Sequence, residues 1–426
     1  MIVLVINAGS SSLRASLHDV QPGSTEWDGS APPAPIWDAH VEWSPPPSAS
    51  TIRINARVGH SRTTSETSVN PTLMSPVDGL SDLLTSMWHG DGAVVSGPGA
   101  IEAIGHRIVY AGAEHRASEY ITPAVRAAIA HAAEYAPAHD AIELTAVDAA
   151  LNVFGSAVPQ LAVFDTAFHA TIAPAAYTYA IPYRWLEQGI RRYGFHGVSH
   201  QYAARRAAHM LDREPRSLRV VTCHLGSGCS LAAVSGGRSV DTTMGFTPLD
   251  GVVMATRSGA VDPGILIHLL RHEGYTADTL DRMLNSESGL LGLSGSSGDM
   301  RTVAAARDAG DKRAILAVQV YVHRVRQAIA AMTASMGGID ALVFTAGVGE
   351  HAFAVRAEIC AGLEFLGVKL DANTNSNGGG DVIVSTPTAA TPVLVVHAEE
   401  NWAIAVETAR VIGAEPPRPT TPPCVQ

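Results

Sequence analysis

Twice in this chain an apolar strand runs into a turn of small residues and a second strand leaves it. Val3 to Ile6 leads through Asn7-Ala8-Gly9-Ser10-Ser11-Ser12 into Leu13 to Leu17; much later, Val220 to Thr222 leads through His224-Leu225-Gly226-Ser227-Gly228 into Ser230 to Val234. A supersecondary unit repeated that far apart points to a duplicated fold, one copy heading each lobe. Glycine and serine let the backbone come close to an anion, and their N–H and hydroxyl groups are donors without bulk. Asn7, Ser10, Ser12, Gly226 and Gly228 are therefore candidate phosphate contacts.

The rest of the chain agrees with an α/β architecture. Leu161–Phe164, Leu342–Thr345 and Val393–Val396 read as buried strands beside glycine-rich or charged loops. Between Ala314 and Met336, residues Ile315, Val318, Val322, Val325, Ile329 and Met332 recur every three or four positions, the stripe of a long packed helix. With 426 residues, 46% of them hydrophobic, the chain exceeds what one core organises, so two domains are expected. Forty acidic against 29 basic side chains leave a formal charge of -11, which repels nucleic-acid backbones and anionic lipid.

Met1 to Ile6 is apolar but short and runs straight into the first turn, so it reads as a buried strand rather than a leader or membrane span. Cys223, Cys229, Cys360 and Cys424 have neither zinc-type pairing nor disulfide density, which suits reduced thiols in a cytosol. Gln21 to Ser50 and Glu415 to Gln426 are proline-rich and read as loop and tail. His60 to Gly99 is polar, with one helical piece around Leu80 to Trp88, and no role is assigned to it. At Phe344-Thr345-Ala346-Gly347-Val348-Gly349-Glu350-His351 a strand-to-loop-to-helix junction offers close backbone approach to a ribose or adenine.

Several ordered blocks closely resemble the acetate kinase family. They are VINAGSSSLR (Val5 to Arg14), GHRIVYAG (Gly105 to Gly112), YAPAHDAIEL (Tyr135 to Leu144), VFDTAFHAT (Val163 to Thr171), RRYGFHGVSH (Arg191 to His200) and HLGSGCS (His224 to Ser230). They continue with TMGFTPLDGVVMATRSGAVDP (Thr243 to Pro263), SGLLGLSGSSGDMR (Ser288 to Arg301) and VFTAGVGE (Val343 to Glu350). The resemblance covers nearly the whole chain outside Gln21 to Gly99 and the tail. It implies a duplicated, two-lobed fold of the actin and sugar-kinase superfamily (ribonuclease H-like), with the active site in the interlobe cleft. The expected lobes are residues 1–166 with 400–426, and a nucleotide-binding lobe of 167–399.

The resemblance also implies site roles. Arg107 and Arg257 would clamp the substrate carboxylate and the phosphoryl group in flight, a task for which the planar guanidinium fork is suited. Asp165 and Glu399 would help place Mg²⁺ (or Mn²⁺), Asn7 lying on the metal side and Glu400 being the alternative to Glu399. His196 would hydrogen-bond the migrating phosphoryl group, with His139, His224 and Arg14 toward phosphate oxygens. Asp299, Arg301, Gly347, Gly349 and Glu350 would line the nucleotide pocket, and Val109, Ala138, Phe195 and Pro248 the acyl pocket. ATP and ADP, a small carboxylate, homodimerisation and a cytoplasmic location are further implications.

Some positions depart from the family pattern. Arg14 stands for the usual Lys, Ser227 and His351 for Asn residues, Asp140 for Asn, Ala260 for Asp, and Ala138 for Leu. The last opens room for one or two methylenes, each worth about 0.8 kcal/mol of burial. A propionate or other short-chain carboxylate kinase, and a kinase using another phosphoryl donor such as pyrophosphate, are therefore the alternatives within the enzyme class. A binding paralogue without turnover is the alternative outside it.

Overall fold

The computed structural model describes the chain apart from residues 10–11, 22–26, 43–49, 59–60, 70–75, 91–92, 133–136 and 415–426; at 12, 41–42, 50–58, 61–69, 76–79 and 137–141 only the backbone is described. The chain divides into two units, one of Met1–Trp27, Pro32–Phe164 and the chain from Glu400 on, the other of Asp28–Ala31 and Asp165–Glu399.

In the first unit Val3, Leu4, Val5 and Ile6 are all buried, so β1 (Ile2–Ala8) is apolar on both faces and sits inside a sheet rather than at its edge. The following strands are β2 (Ser12–Asp19), β3 (Trp37–Glu42), β4 (Ser50–Val58), β5 (Ser61–Val69), β6 (Ala103–Ile108), β7 (Glu119–Tyr120) and β8 (Gln160–Phe164). They form one sheet in the order β5-β4-β3-β2-β1-β6-β8-β7. The helix Pro137–Phe154 buries Ala146, Ala149 and Ala150 against Leu4, Ile6, Leu17, Trp37 and Ile104. Gly105 has its own reason: a Cβ there would collide with Thr408 and Ile404, so its absence lets the helix Glu400–Gly413 lie on β6.

The second unit holds β9 (Arg219–Leu225), β10 (Cys229–Ser235), β11 (Arg238–Thr242), β12 (Ala341–Thr345), β13 (Val382–Ile383) and β14 (Val393–Val395), ordered β11-β10-β9-β12-β14-β13. Its long helix, Lys312–Ser335, starts where the Asp311 carboxylate accepts the Ala314 N–H at 2.8 Å. Of the expected stripe the helix buries Val318, Val322, Val325, Ile329 and Met332, while Ile315 in its first turn is half-buried. Gly337, at φ 68°, follows its end.

The two sheets share one plan. β3-β2-β1 are antiparallel neighbours, and β1, β6 and β8 then run parallel; β11-β10-β9 and β9, β12 and β14 repeat this pattern. The hairpin echo in the sequence is thus the visible part of a full duplication.

One expectation is corrected. The proline-rich segment 21–50 contains β3, paired with β2 from Leu17↔Trp37 to Ser12↔Glu42. Proline blocks pairing only locally, and Pro32, Pro33 and Pro35 end just before the fully buried Trp37. The polar stretch after it supplies β5 and the helix Pro76–Thr85.

His18 on β2 and His106 on β6 are buried, and burial pushes both pKa values down to about 4. His106 donates from Nε2 to Gln160 Oε1 at 2.7 Å, which opposes that shift only in part. The unfolded chain takes up these protons near pH 6.5 and the folded chain near 4, so stability is full above 6.5 and is lost as pH falls toward 4. Chemical denaturation from pH 7 to 4.5 should show a slope approaching about 1.4 kcal/mol per pH unit for each histidine. His106→Asn should make that slope shallower. An unchanged slope would remove His106 from the account.

Candidate functional site

Asp165 directly follows β8 and is almost fully buried. Its Oδ2 accepts the His196 N–H at 2.9 Å, and its backbone oxygen accepts the Gly197 N–H at 2.8 Å. His196 has φ 57°, a left-handed conformation uncommon outside glycine, and it caps the helix Gly197–Met210. Gly197 must lack a Cβ, because one would strike the Asp165 carbonyl oxygen. One carboxylate with its own backbone thus holds the start of a helix and aims its first imidazole.

That imidazole stacks on His224, ring centroids 4.1 Å apart. Each ring is held through Nδ1, His196 by Ser230 Oγ and His224 by Ser199 Oγ, both at 2.7 Å. Their Nε2 edges meet the turn between β9 and β10. A Cβ on Gly228 would lie 3.2 Å from His196 Nε2 and 3.5 Å from Arg257 Nη1; one on Gly226 would lie 3.5 Å from His224 Nε2. Arg257 donates from Nη1 to the Pro248 carbonyl at 3.3 Å, and the Ala255 N–H reaches the Ser227 oxygen at 3.0 Å, tying the Arg257 loop to the turn. The fold therefore brings together Asp165, His196, His224, Gly226, Gly228 and Arg257, with buried Phe195 and half-buried Pro248 joined through His196 and Arg257. Imidazole, guanidinium and glycine backbone at one turn are the donor types that suit a multiply charged oxyanion.

The nucleotide candidates lie in two places. β12 passes straight into the helix Ala346–His351 with no intervening loop, Ala346 taking φ 64°. The buried Arg356 guanidinium donates to the Gly349 and Glu350 carbonyls and to Asn375, fixing that helix. Glu350 accepts from His397 Nδ1 at 2.5 Å and from the Ala398 N–H at 3.0 Å. Burial opposes ionisation of Glu350, but the His397 hydrogen bond and charge, together with the Ala398 N–H and His351, outweigh it and lower the carboxyl from its ordinary value; the His397 bond in turn raises His397. Glu399 lies 3.7 Å from the His397 ring. Elsewhere, Asp299 caps the helix Met300–Asp308 and pairs with Arg301, whose side chain is 90% exposed.

In the first unit, Asn7 donates to Glu400 at 3.1 Å and to Asn401 at 3.3 Å. Arg14 is exposed and opposes Asn7 in the β1–β2 register. Arg107 is half-buried on β6, and the Val109 N–H is received by the buried Glu143 carboxylate at 3.1 Å. Ser10 lies outside the described residues, as do the side chains of Ser12, Ala138, His139 and Asp140. Among the described residues, no three His, Cys, Asp or Glu side chains form a metal-holding group, and no helix is long and apolar enough to cross a membrane.

Sequence reasoning missed Ser199, His200, Thr222, Ser230, Glu143, Arg356 and His397. His200 carried a signal, lying four residues beyond His196 on a helix, the spacing that puts two side chains on one face. Arg356 carried none.

The family model described as the acetokinase family matches residues 2–406. The chain belongs to the acetokinase family. It is similar to an acetate kinase from Cyanothece sp., 48% identical over 95% of this chain and 97% of the relative, and to one from Gloeobacter violaceus, 48% identical over 96% and 98%. Among solved structures it resembles the acetate kinase of Porphyromonas gingivalis (TM-score 0.83, 34% identity, 96% of this chain and 99% of that one). It also resembles a propionate kinase of Francisella tularensis (TM-score 0.81, 33% identity, 96% and 98%). The duplicated fold is therefore of the acetate kinase type, and the chain is a kinase that transfers phosphate to a carboxylate acceptor.

Gly228→Ala should test the turn. The methyl group displaces His196 or Arg257 by a few tenths of an ångström, so kcat should fall at least about tenfold with Tm within about 2 °C of the parent. A turnover number unchanged from the parent would show that this edge is not where the reacting groups sit.

Proposed function

We propose that the chain catalyses reversible, Mg²⁺-dependent transfer of the terminal phosphoryl group of ATP to acetate, giving acetyl phosphate and ADP by direct in-line displacement. The observation that carries the reading is the meeting of His196, His224 and Arg257 at the Gly226–Gly228 turn. Acetate is already ionised near neutral pH, so its oxygen attacks phosphorus without a general base. The P–O bond to ADP breaks as the new one forms, and ADP leaves with the bonding pair. The protein's contribution is position and charge.

Arg257 and Arg107 serve the phosphoryl group and the acetate carboxylate, and His196 and His224 donate toward phosphoryl oxygens. The acyl-binding roles that the family resemblance implies fall to Val109, Ala138, Phe195 and Pro248. The phosphate-binding roles fall to Arg14, Ser10, Ser12, His139, Gly226 and Gly228, and the nucleoside-binding roles to Asp299, Arg301, Gly347, Gly349 and Glu350. Asn7, Asp165 and Glu399, with Glu400 beside Asn7, offer amide and carboxylate oxygens, the donors a hard cation takes, and few enough for it to keep several waters. Bound Mg²⁺, or Mn²⁺ in its place, neutralises phosphate charge.

We assign a homodimer, because no residue of the helix Pro263–His272 is buried and its Ile265, Ile267 and Leu270 are 52%, 48% and 44% exposed, apolar surface on an uncovered helix that a second copy would bury. A cytoplasmic location is supported by the buried, unpaired thiols of Cys223, Cys229 and Cys360. Propionate is a second acceptor on two grounds: the small Ala138 and the likeness to the Francisella propionate kinase.

Purified protein with Mg²⁺, ATP and acetate should yield acyl phosphate that hydroxylamine traps as hydroxamate, and Arg257→Ala should abolish this while ATP still binds. No hydroxamate with acetate, propionate or butyrate, from either ATP or pyrophosphate, would reject a kinase role. Propionate should reach a specificity constant within about tenfold of acetate, the worth of one or two methylenes. A strong acetate preference would close the acyl pocket around Ala138.

A further inference from the structure

We propose that Ser230 and His200 are positioning residues that hold His196 as the tautomer protonated on Nε2, so that it presents an N–H to the glycine turn. Four groups lie in series: Thr222 Oγ1 is 2.8 Å from His200 Nδ1, His200 Nε2 is 2.7 Å from Ser230 Oγ, and Ser230 Oγ is 2.7 Å from His196 Nδ1. Thr222, His200 and Ser230 are fully buried, so water does not substitute for any of them.

Each link needs one hydrogen, and Ser230 accepting from both rings would strand its own buried O–H, so a neutral His200 leaves two orders. In the first, Thr222 donates to His200, His200 donates to Ser230, Ser230 donates to His196 Nδ1, and His196 keeps its proton on Nε2. In the second every donor reverses, and His196 turns a bare Nε2 to the turn. The Thr222 hydroxyl decides between them. Its Oγ1 has no hydrogen-bond partner other than His200 among the described residues, so the second order strands a buried O–H, at a cost of about 1–3 kcal/mol. The first leaves only an unused lone pair. Burial holds the His200 pKa well below its ordinary value, with the neighbouring His169 and His224 adding to the effect. A proton gained there would in any case still donate to Ser230 and preserve the direction. The consequence for catalysis rests on reading His196 as a phosphoryl ligand: an N–H at the turn attracts an anionic oxygen, and a bare nitrogen repels it. The tautomer itself does not depend on that reading.

The test is nitrogen-15 spectroscopy of the full-length, ligand-free protein labelled in histidine, near neutral pH, with the His196 signals assigned by His196→Gln. Wild-type His196 should show protonated Nε2 and bare Nδ1. Thr222→Val is nearly isosteric and three hydrogen bonds away, yet it should release the order and give a tautomer mixture at His196; Ser230→Ala should do the same. In turnover assays Ser230→Ala should lower kcat about tenfold with KM for both substrates within about twofold, and Ser230→Thr should restore most of the loss. Wild-type His196 protonated on Nδ1 overturns the proposal, as do His196 signals unmoved by Thr222→Val, which is what a merely structural tie predicts. If Ser230→Ala fails to fold, the wild-type and Thr222→Val spectra still decide. If the wild type makes no acyl phosphate, the functional reading fails while the spectra still report the tautomer.

Discussion

The arrangement at the Gly226–Gly228 turn depends on one aspartate. Asp165 receives two successive backbone N–H groups, one on Oδ2 from His196 and one on its own carbonyl from Gly197, and so fixes how the helix Gly197–Met210 begins. Holding His196 at a left-handed φ costs on the order of 1 kcal/mol. A charge-assisted hydrogen bond in a buried setting offsets that cost. With the backbone fixed there, the ring falls on His224, and the Nε2 edges of both rings lie against the Gly226–Gly228 turn.

The turn works by what it lacks. Without Cβ atoms at Gly226 and Gly228, the turn backbone lies close beside two imidazoles and the Arg257 guanidinium. The supporting contacts are two hydroxyls, a backbone carbonyl and a guanidinium: Ser199 and Ser230 behind the rings, the Pro248 carbonyl behind Arg257, and the Arg356 guanidinium behind Gly349 and Glu350. Preorganised donors of this kind stabilise transferring phosphoryl charge without rearranging during the reaction.

How much of this could be read from sequence follows from the range of each interaction. Glycine and serine mark turns locally, so both hairpins and the duplication were legible. The stripe of the helix Lys312–Ser335 was legible for the same reason. β3 was hidden because prolines dominate its surroundings, although Trp37 to Glu42 alternates correctly for a strand. The His200–Ser230 bond joins residues thirty positions apart, and the burial of Arg356 depends on carbonyls and an asparagine whose placement only the fold decides. Asp299 and Arg301 were legible as a motif, while their pairing and capping of a helix were not.

The most direct test of the central claim is kcat of Asp165→Asn, with Tm measured on the same sample. Asparagine keeps an oxygen that can accept the His196 N–H, so the helix start should survive and Tm should stay within about 2 °C, while loss of the charge should lower kcat on the order of a hundredfold. Turnover close to the parent value in a folded Asp165→Asn protein would contradict the account.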